Sequence, residues 1–263
     1  KGLDFFDVKN QEGFLRTLMM RQNSKGEWMI LFQLFREEKE QRGKLFDYLL
    51  NEFPQIKTLL FAINSKPNDS IYDQDVQTYF GEGFLMEEMD GLKFKIGPKS
   101  FFQTNYKQAL ELYRKTLEFA DLKGDEVVYD LYTGTGTIAQ YVARNAKQVI
   151  GIESVQEAID AAKEHAELNG LSNCTFYCGD MKDIFNDEFL AGHPKADVLI
   201  TDPPRDGMHQ KVVEQILKLS PEKIVYVSCN SATQARDLAL MKDQYKLVKI
   251  LPVDMFPQTH HVE

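Results

Sequence analysis

The chain has 263 residues, of which 43% are apolar and 27% charged, which is typical of a soluble protein with one α/β domain and a smaller companion. Its net charge of -9 gives no indication of nucleic-acid binding, because phosphate contacts need lysine and arginine. The sequence shows no bilayer-length apolar run, no signal-peptide pattern, and no metal-finger or disulfide pattern among its three cysteines, so we expect a cytoplasmic, metal-free protein from a reducing compartment.

The first hundred residues predict a small α+β unit. Two apolar stretches, Gly13–Met20 and Glu27–Phe35, flank a Ser-Lys-Gly turn and are predicted to form a hairpin. Apolar residues at helical spacing predict a helix over Arg42–Phe53, and the run Thr58–Asn64 has the composition of a buried strand. A second hairpin is predicted at Met86–Ile96, around an Asp-Gly turn.

Gly97-Pro98 interrupts this pattern, so we place a domain boundary there, with residues 1–98 in the smaller domain and residues 99–263 in the larger. An amphipathic helix is predicted over Tyr106–Ala120, and apolar strands then alternate with helical segments. The predicted strands are Glu126–Leu131, Val149–Glu153, Thr175–Cys178, Val198–Asp202, Ile224–Ser228 and Tyr245–Leu251, and the predicted helices are Gln156–Asn169, Gln210–Leu219 and Thr233–Lys242. This alternation predicts a doubly wound, Rossmann-like parallel sheet.

A glycine-containing loop follows the first of these strands and opens the next helix. Gly134 and Gly136 allow the backbone to pass close to a ligand at the carboxyl end of the strand, which is where open α/β sheets bind ligands. The nicotinamide fingerprint G-x-G-x-x-G is not met, because Ala139 and Tyr141 supply no third glycine. A dehydrogenase is therefore disfavoured.

Acidic residues follow the next two strands. Glu153 is placed to accept hydrogen bonds from both ribose hydroxyls of a nucleoside, and Asp180 is placed to accept one from the amino group of adenine. A glycine loop and two acids at successive strand ends predict S-adenosylmethionine as the cofactor. The structural alternative for Glu153 is a helix-capping or surface carboxylate.

Cys229 comes directly after the apolar strand that ends near Ser228. Methylation of uracil at C5 needs a thiolate that adds at C6 and a base that removes the C5 proton. A cysteine at this strand end is a candidate for the first role. Taken alone, however, a cysteine in such a position is more often a small buried side chain.

The motif Asp202-Pro203-Pro204-Arg205 ends the fourth strand of the sheet and supports a rival interpretation. Similar D-P-P motifs in other methyltransferases bind a base whose exocyclic nitrogen is methylated. A rigid turn is the structural alternative, because two prolines fix φ and remove two backbone donors. Since methylation of an amino group needs no covalent nucleophile, Cys229 on the next strand favours carbon methylation.

Five motifs occur in one order along the chain: Phe101-Phe102-Gln103-Thr104-Asn105, the glycine loop, Asp202-Pro203-Pro204-Arg205, Ser228-Cys229-Asn230 and the segment Asp254–Glu263. Together they resemble the RNA uracil-5-methyltransferase family, which makes 5-methyluridine in ribosomal and transfer RNA. The resemblance covers nearly the whole chain.

The resemblance implies a role for eight residues. The implied cofactor-binding residues are Gln103, Tyr132, Thr137, Glu153, Asp180 and Asp202. Cys229 is the implied nucleophile and Glu263 the implied base, whereas the bare sequence would suggest a solvated glutamate at position 263. The smaller domain would contact RNA, and we expect a monomer. The stretch Ile224–Asn230 is closer to the ribosomal branch, which implies 23S ribosomal RNA rather than transfer RNA as the substrate.

The chain also departs from the family's usual pattern. These 263 residues are not expected to include the family's N-terminal oligonucleotide-binding barrel, nor the cysteines that hold an iron–sulfur cluster in many ribosomal members, because the first cysteine is Cys174. Ser231 stands where the family often has proline. Folds of this class end with a strand that returns antiparallel beside the fifth, and none follows Glu263, so we expect the sequence to be part of a longer protein.

Two other functions stay open at this point. One is an N-methyltransferase that acts on adenine or on a protein glutamine through its D-P-P motif, and such an enzyme would keep its activity without Cys229. The other is a non-catalytic RNA-binding module that retains the methyltransferase scaffold.

Overall fold

The structure, a computed structural model, describes residues 2–263. The chain divides into two compact units. The first contains the residues up to Glu88 together with Phe94–Thr104, and the second contains Met89–Lys93 and Asn105–Glu263. Among the described residues, no helix has both the length and the apolar character that crossing a membrane requires.

The first unit contains a four-stranded sheet of order β1-β2-β3-β4 and one helix. Its elements are β1 (Leu15–Gln22), β2 (Trp28–Leu34), α1 (Lys39–Glu52), β3 (Ile56–Ile63) and β4 (Gln77–Phe80). The β1–β2 and β3–β4 pairs are antiparallel, whereas β2 and β3 are parallel and joined through α1. The predicted hairpin, helix and buried strand are therefore confirmed.

Alternate side chains of β2 pack into different apolar clusters. Ile30 and Phe32 pack in one cluster with Phe46 of α1, while Met29 and Leu31 belong to a second cluster. Both faces of β2 are covered, and for that reason its sequence is a continuous apolar run without the alternation of a half-buried strand.

The hairpin predicted at Met86–Ile96 is confirmed as β5 (Leu85–Met89) and β6 (Leu92–Ile96). Asp90 and Gly91 form its turn with φ values of 47° and 79°. Asp-Gly is the sequence that most easily adopts two successive left-handed residues, and this explains why the turn was recognisable.

The second unit contains a five-stranded sheet of order β11-β10-β7-β8-β9, in which every pair is parallel. Its elements are α2 (Tyr106–Ala120), β7 (Val127–Leu131), α3 (Thr137–Ala143), β8 (Gln148–Glu153), α4 (Gln156–Leu168), β9 (Cys174–Cys178), α5 (Met181–Ile184), α6 (Asp187–Gly192), β10 (Val198–Thr201), α7 (Gln210–Leu219), β11 (Lys223–Tyr226) and α8 (Ser231–Met241). The predicted doubly wound α/β fold is confirmed. Because the strand order reverses at β7, the carboxyl ends of β7 and its neighbours are where this topology binds a ligand.

The strand predicted at Tyr245–Leu251 is wrong, because the structure has no regular element there. The apolar side chains Leu247, Val248 and Ile250 are exposed. A strand also needs a hydrogen-bonding neighbour, and an apolar run cannot reveal whether one is available. The polar edge strand β4 and the short helices α5 and α6 escaped prediction because they have too few residues to show a period.

Candidate active site at the carboxyl ends of the parallel strands

The loop between β7 and α3 contains three residues in the left-handed region: Tyr132, Gly134 and Gly136, with φ values of 64°, 55° and 75°. A Cβ atom at Gly136 would lie 2.9 Å from the Ala162 Cβ and 3.1 Å from the Phe176 Cζ, so the loop packs tightly there. A Cβ atom at Gly134 would meet no atom within 4 Å. The loop is thus anchored at Gly136 and faces open space at Gly134.

Tyr132 is the non-glycine residue in this loop with a left-handed backbone. Such a conformation costs on the order of 1–3 kcal/mol and persists only where the surroundings enforce it. Burial, followed by the charges of Asp237 and Asp180, raises the pKa of the Tyr132 phenol to about 12. The phenol is therefore a neutral group at physiological pH, beside the predicted cofactor site.

Asp130, near the end of β7, is buried, and its Oδ2 accepts a hydrogen bond of 2.5 Å from the Thr133 hydroxyl. Its Oδ1 has no hydrogen-bond partner among the described residues. Burial raises the pKa of Asp130 to about 7. Our sequence reasoning did not single out this residue, although an acid that precedes a glycine loop on a buried strand is a signal for it.

Glu153, the last residue of β8, connects its strand end to the glycine loop. Its Oε2 accepts from the Gly134 amide at 3.1 Å, and its Oε1 accepts from the amides of Ser154 and Val155 at 2.7 and 3.1 Å. These two amides precede α4, which has no side-chain cap, so Glu153 holds its strand end and the glycine loop rather than capping the helix. The predicted contact with ribose stays a prediction.

Asp180 is exposed and follows β9. Its side chain accepts from the Lys182 amide at the start of α5 and forms an ion pair with the Lys182 ammonium group. The hydrogen bond with that ammonium group lowers the pKa of Asp180, so its carboxylate stays ionised. It is a ready acceptor for an amino group, as predicted for adenine.

Thr137 begins α3 and lies in a polar contact with Thr135 at 3.4 Å between their hydroxyl oxygens. Thr137 also acts on Tyr113, a buried residue of α2, by lowering the pKa of its phenol. Burial and the charges of Asp202, Asp130 and Glu263 raise the pKa of Tyr113. Tyr113 is a neighbour of the carboxylates that sequence reasoning missed, because its position on a helix face resembles that of any core residue.

Asp202 follows β10, and its amide donates to the Leu131 carbonyl of β7 at 3.3 Å. Burial, then the charges of Glu263 and Asp130, raise the pKa of its carboxyl group to about 7. The D-P-P motif is therefore more than a rigid turn, because it places a carboxyl group with a raised pKa at a strand end beside two other acids.

Cys229 lies after β11 and is partly buried. The segment is fixed on both sides: the Val227 amide donates to the Thr201 carbonyl at 2.9 Å, and the Asn230 amide donates to the Ser228 hydroxyl at 3.1 Å. Burial, Glu263 and Asp202 raise the pKa of the Cys229 thiol, whereas Arg205 lowers it. The thiol is consequently protonated at neutral pH in this arrangement of charges.

Glu263 is held by two backbone hydrogen bonds with Val253, of 2.9 and 3.0 Å. Burial raises the pKa of its carboxyl group, while Arg205 lowers it. Glu263 and Cys229 line one groove of about 1260 Å³, together with Arg205. The charge of Glu263 raises the pKa of the Cys229 thiol, so a carboxyl group and a thiol influence one another in this groove.

The predicted site residues divide between the two units. Gln103 lies in the first unit, three residues before the start of α2. The others lie at or near the strand ends and the C-terminal segment of the second unit: Tyr132, Thr137, Glu153, Asp180, Asp202, Cys229 and Glu263. Their roles in catalysis and binding stay predictions.

A parallel sheet with a glycine loop and a row of carboxyl groups at its strand ends defines a methyltransferase domain of the Rossmann-like class. Residues 76–263 match the family model described as tRNA (Uracil-5-)-methyltransferase. The chain belongs to this family, and the resemblance inferred from its motifs is confirmed.

Individual relatives agree with this assignment. An uncharacterized RNA methyltransferase of Porphyromonas gingivalis is 57% identical over 261 residues, which cover 98% of this chain and 56% of that protein. One from Bacteroides thetaiotaomicron is 54% identical and matches over 98% of this chain and 58% of its own length. The chain thus spans a little over half the length of these relatives.

Among solved structures, the tRNA (uracil-54, C5)-methyltransferase of Pyrococcus abyssi, in complex with S-adenosyl-L-homocysteine, superposes with a TM-score of 0.83. It is 31% identical and covers 99% of this chain, which in turn covers 61% of that one. A putative methyltransferase from Streptococcus mutans, 13% identical with a TM-score of 0.57, shares the fold.

Proposed function

We propose that this chain contains the catalytic site of an S-adenosylmethionine-dependent enzyme that methylates C5 of a uridine in RNA. The observation that carries the proposal is the shared groove, in which a thiol and a carboxyl group with a raised pKa, Cys229 and Glu263, lie beside Arg205. This is the pair of groups that methylation at uracil C5 requires.

The strand ends fit the cofactor. Glu153 and Asp180 offer carboxylate oxygens to ribose hydroxyls and to an adenine amine, and the loop leaves open space at Gly134. The acids Asp130 and Asp202 would complement a positively charged group, and Asp130 Oδ1 has no donor among the described residues. When bound, S-adenosylmethionine supplies an activated methyl group. The P. abyssi relative supports the assignment because it binds the demethylated product, S-adenosyl-L-homocysteine.

The residues act in two steps on the pyrimidine. The Cys229 thiol gives its proton to solvent and the thiolate adds to C6. The electrons of the C5–C6 double bond move into an enolate, which makes C5 nucleophilic. After C5 has gained the methyl group, Glu263 removes the C5 proton, the bond between sulfur and C6 breaks, and the C5–C6 double bond returns. Arg205 favours the anionic forms of both groups, since it lowers the pKa of each.

Trapping tests this proposal. RNA with 5-fluorouridine at the target position has no C5 proton to lose, so the reaction should stop at the covalent intermediate. In the presence of S-adenosylmethionine, this RNA should stay covalently bound to Cys229 of the full-length enzyme. Cys229→Ala should form no adduct, whereas Cys178→Ala, at an exposed cysteine, should form it normally. If Cys229→Ala still transferred a methyl group to RNA, the result would support an N-methyltransferase instead. If the parent protein formed no adduct and transferred no methyl group, the result would support a non-catalytic RNA-binding module.

We propose ribosomal RNA, 23S in particular, as the substrate, with the first unit in contact with the RNA and the enzyme acting as a monomer. Support comes from the resemblance of Ile224–Asn230 to the ribosomal branch. Transfer RNA is the second candidate, favoured by the family description and by the P. abyssi relative. Nucleoside mass spectrometry of both RNA pools from a deletion strain decides, since 5-methyluridine should disappear from one of them.

A further inference from the structure

Asp237 is a fully buried carboxylate on α8 that is not among the predicted site residues. Its Oδ2 accepts from the Met208 amide at 2.7 Å and from the Tyr226 hydroxyl at 2.8 Å. Its Oδ1 accepts from Arg236 Nε at 2.9 Å and Nη2 at 2.8 Å. A buried carboxylate is stable only when hydrogen-bond donors surround it, and all four donors are present here. The groups around Asp237 are therefore held in fixed positions.

These donors connect Asp237 to the segment Asp202–Met208, which we call the D-P-P loop. Met208 is its last residue, and Arg236 Nη2 also donates to the carbonyls of Asp206 and Met208, at 2.8 and 3.4 Å. The carboxylate and the guanidinium of two adjacent residues on α8 thus hold the far end of the loop.

The first turn of α8 holds the middle of the same loop. The Arg205 carbonyl accepts from Asn230 Nδ2 at 2.9 Å and from the Thr233 hydroxyl at 3.1 Å. The backbone of Arg205 is therefore fixed to the residue that directly follows Cys229. Since Tyr226 ends β11, Asp237 connects the D-P-P loop with the strand that carries Cys229.

Gly207 shows how closely the loop approaches this carboxylate. Its φ is 74°, and a Cβ atom there would lie 2.7 Å from Asp237 Oδ2 and 2.6 Å from Arg236 Nη2. The loop backbone rests directly on the pair of charged groups, and a side chain would lift it away.

Three charged groups act on the Cys229 thiol. Glu263 and Asp202 raise its pKa, and Arg205 lowers it. Two of the three, Asp202 and Arg205, belong to the D-P-P loop. The balance of charge at the thiol thus depends on where that loop lies.

We infer that Asp237 is a positioning residue that fixes the D-P-P loop so that Arg205 is held beside Cys229 and Glu263. The inference rests on the proposed function, in which the Cys229 thiol is the nucleophile. Asp237 itself is packed against protein groups on both oxygens and takes no part in bond making.

The test measures alkylation of Cys229 by iodoacetamide in the full-length protein across pH, with peptide mass spectrometry to separate it from other cysteines. In Asp237→Asn the far end of the loop loses a charged anchor, whereas Asp202 stays at the end of β10, where its amide donates to the Leu131 carbonyl. Arg205 should therefore move away from the thiol while Asp202 remains near it. The half-alkylation pH should rise by roughly half a unit to one unit, which lowers the rate at pH 7 about 3- to 10-fold. Tyr226→Phe, which removes one of four donors, should shift the profile in the same direction by less.

Asp243→Asn is the matched control, because Asp243 is exposed beyond the end of α8, and its profile should equal that of the parent. If Asp237→Asn and Tyr226→Phe both kept the parent's pH profile of Cys229 alkylation, the inference would be overturned. A lower melting temperature in these variants would then show only a structural role for Asp237. Should Asp237→Asn fail to fold, the Tyr226→Phe profile decides. Alkylation needs neither RNA nor cofactor, so a parent enzyme that forms no fluorouridine adduct would refute the proposed function and leave this measurement unaffected.

Discussion

At the scale of single residues, Arg205 acts on both Glu263 and Cys229, two groups that the proposed reaction would use in different steps. Arg205 lowers the pKa of both, and burial raises the pKa of both. Glu263 in turn raises the pKa of Cys229. Removing the charge at position 263 should therefore help the thiol ionise while it prevents removal of the C5 proton.

Glu263→Gln is predicted to let the covalent RNA adduct form on ordinary uridine RNA and to slow its release. Glutamine keeps the shape of the side chain but accepts no proton, and one general base contributes about 10²- to 10⁴-fold to a rate. Denaturing gels should show the adduct accumulating in Glu263→Gln and in neither the parent nor Glu222→Gln, a change at an exposed residue. Release at the parental rate would assign the base to another group.

The pH dependence of release has a definite sign. A base works in its deprotonated form, so release should slow as pH falls through the pKa of Glu263. Because burial raises that pKa, the loss should begin at a higher pH than for an ordinary carboxyl group. Single-turnover release rates across pH measure this, and a profile that stays flat through the mildly acid range would contradict it.

At the scale of elements, one short glycine loop contains both a position that packs against the core and a position that faces the predicted cofactor site. Gly136 lies against α4 and β9, whereas Gly134 faces open space and donates its amide to Glu153. The two positions offer the same substitution with different expected outcomes.

Gly136→Ala should lower the free energy of unfolding by about 2–4 kcal/mol, because the methyl group overlaps Ala162 and Phe176 and the backbone is left-handed. Gly134→Ala should cost about 1 kcal/mol of backbone strain and should weaken S-adenosylmethionine binding, since the methyl group enters the open space of the loop. Denaturant unfolding and calorimetric titration measure the two effects. Equal losses of stability would show that Gly136 is not the anchor.

Much of this architecture was predictable from periodicity. The helix over Tyr106–Ala120 and the helix over Gln210–Leu219 were predicted with the bounds that the structure has, because each carries one apolar face. The strand predicted at Tyr245–Leu251 was not confirmed: its apolar residues are typical of a strand, but the segment does not pair with β11, the edge strand of the sheet. Strand-end acids could be found by position alone. Tyr113 and Asp237 could not, because their importance comes from partners distant in sequence, whereas Asp130 had a signal in its position before the glycine loop.

At the scale of the whole molecule, the buried acids couple folding to pH. Asp130 and Asp202 have pKa values of about 7, well above the ordinary value of 3.8. A carboxyl group whose pKa is raised in the folded state stabilises the fold below its unfolded pKa and loses that contribution as pH rises to the folded value. The net charge, -9 at pH 7, adds self-repulsion as pH rises above the pI of about 5.2.

Asp130→Asn is predicted to flatten this dependence. Between pH 3.8 and about 7 the parent should lose stability that the variant keeps, because asparagine has no proton to release from the buried site. Melting temperatures of the full-length protein across this range measure the difference, with Asp125→Asn at an exposed position as the control. Parallel curves for the parent and Asp130→Asn would contradict the prediction.

Gly207 has a consequence for how sequence variation in such enzymes is interpreted. It carries no reactive group, yet its φ of 74° and its closeness to Asp237 leave no room for a side chain. In a saturation mutagenesis screen scored by RNA modification, position 207 should be as intolerant as Cys229. A screen scored by protein abundance should also penalise position 207 but tolerate substitution of Cys229, so the two scores together would separate a residue that shapes the site from one that reacts in it.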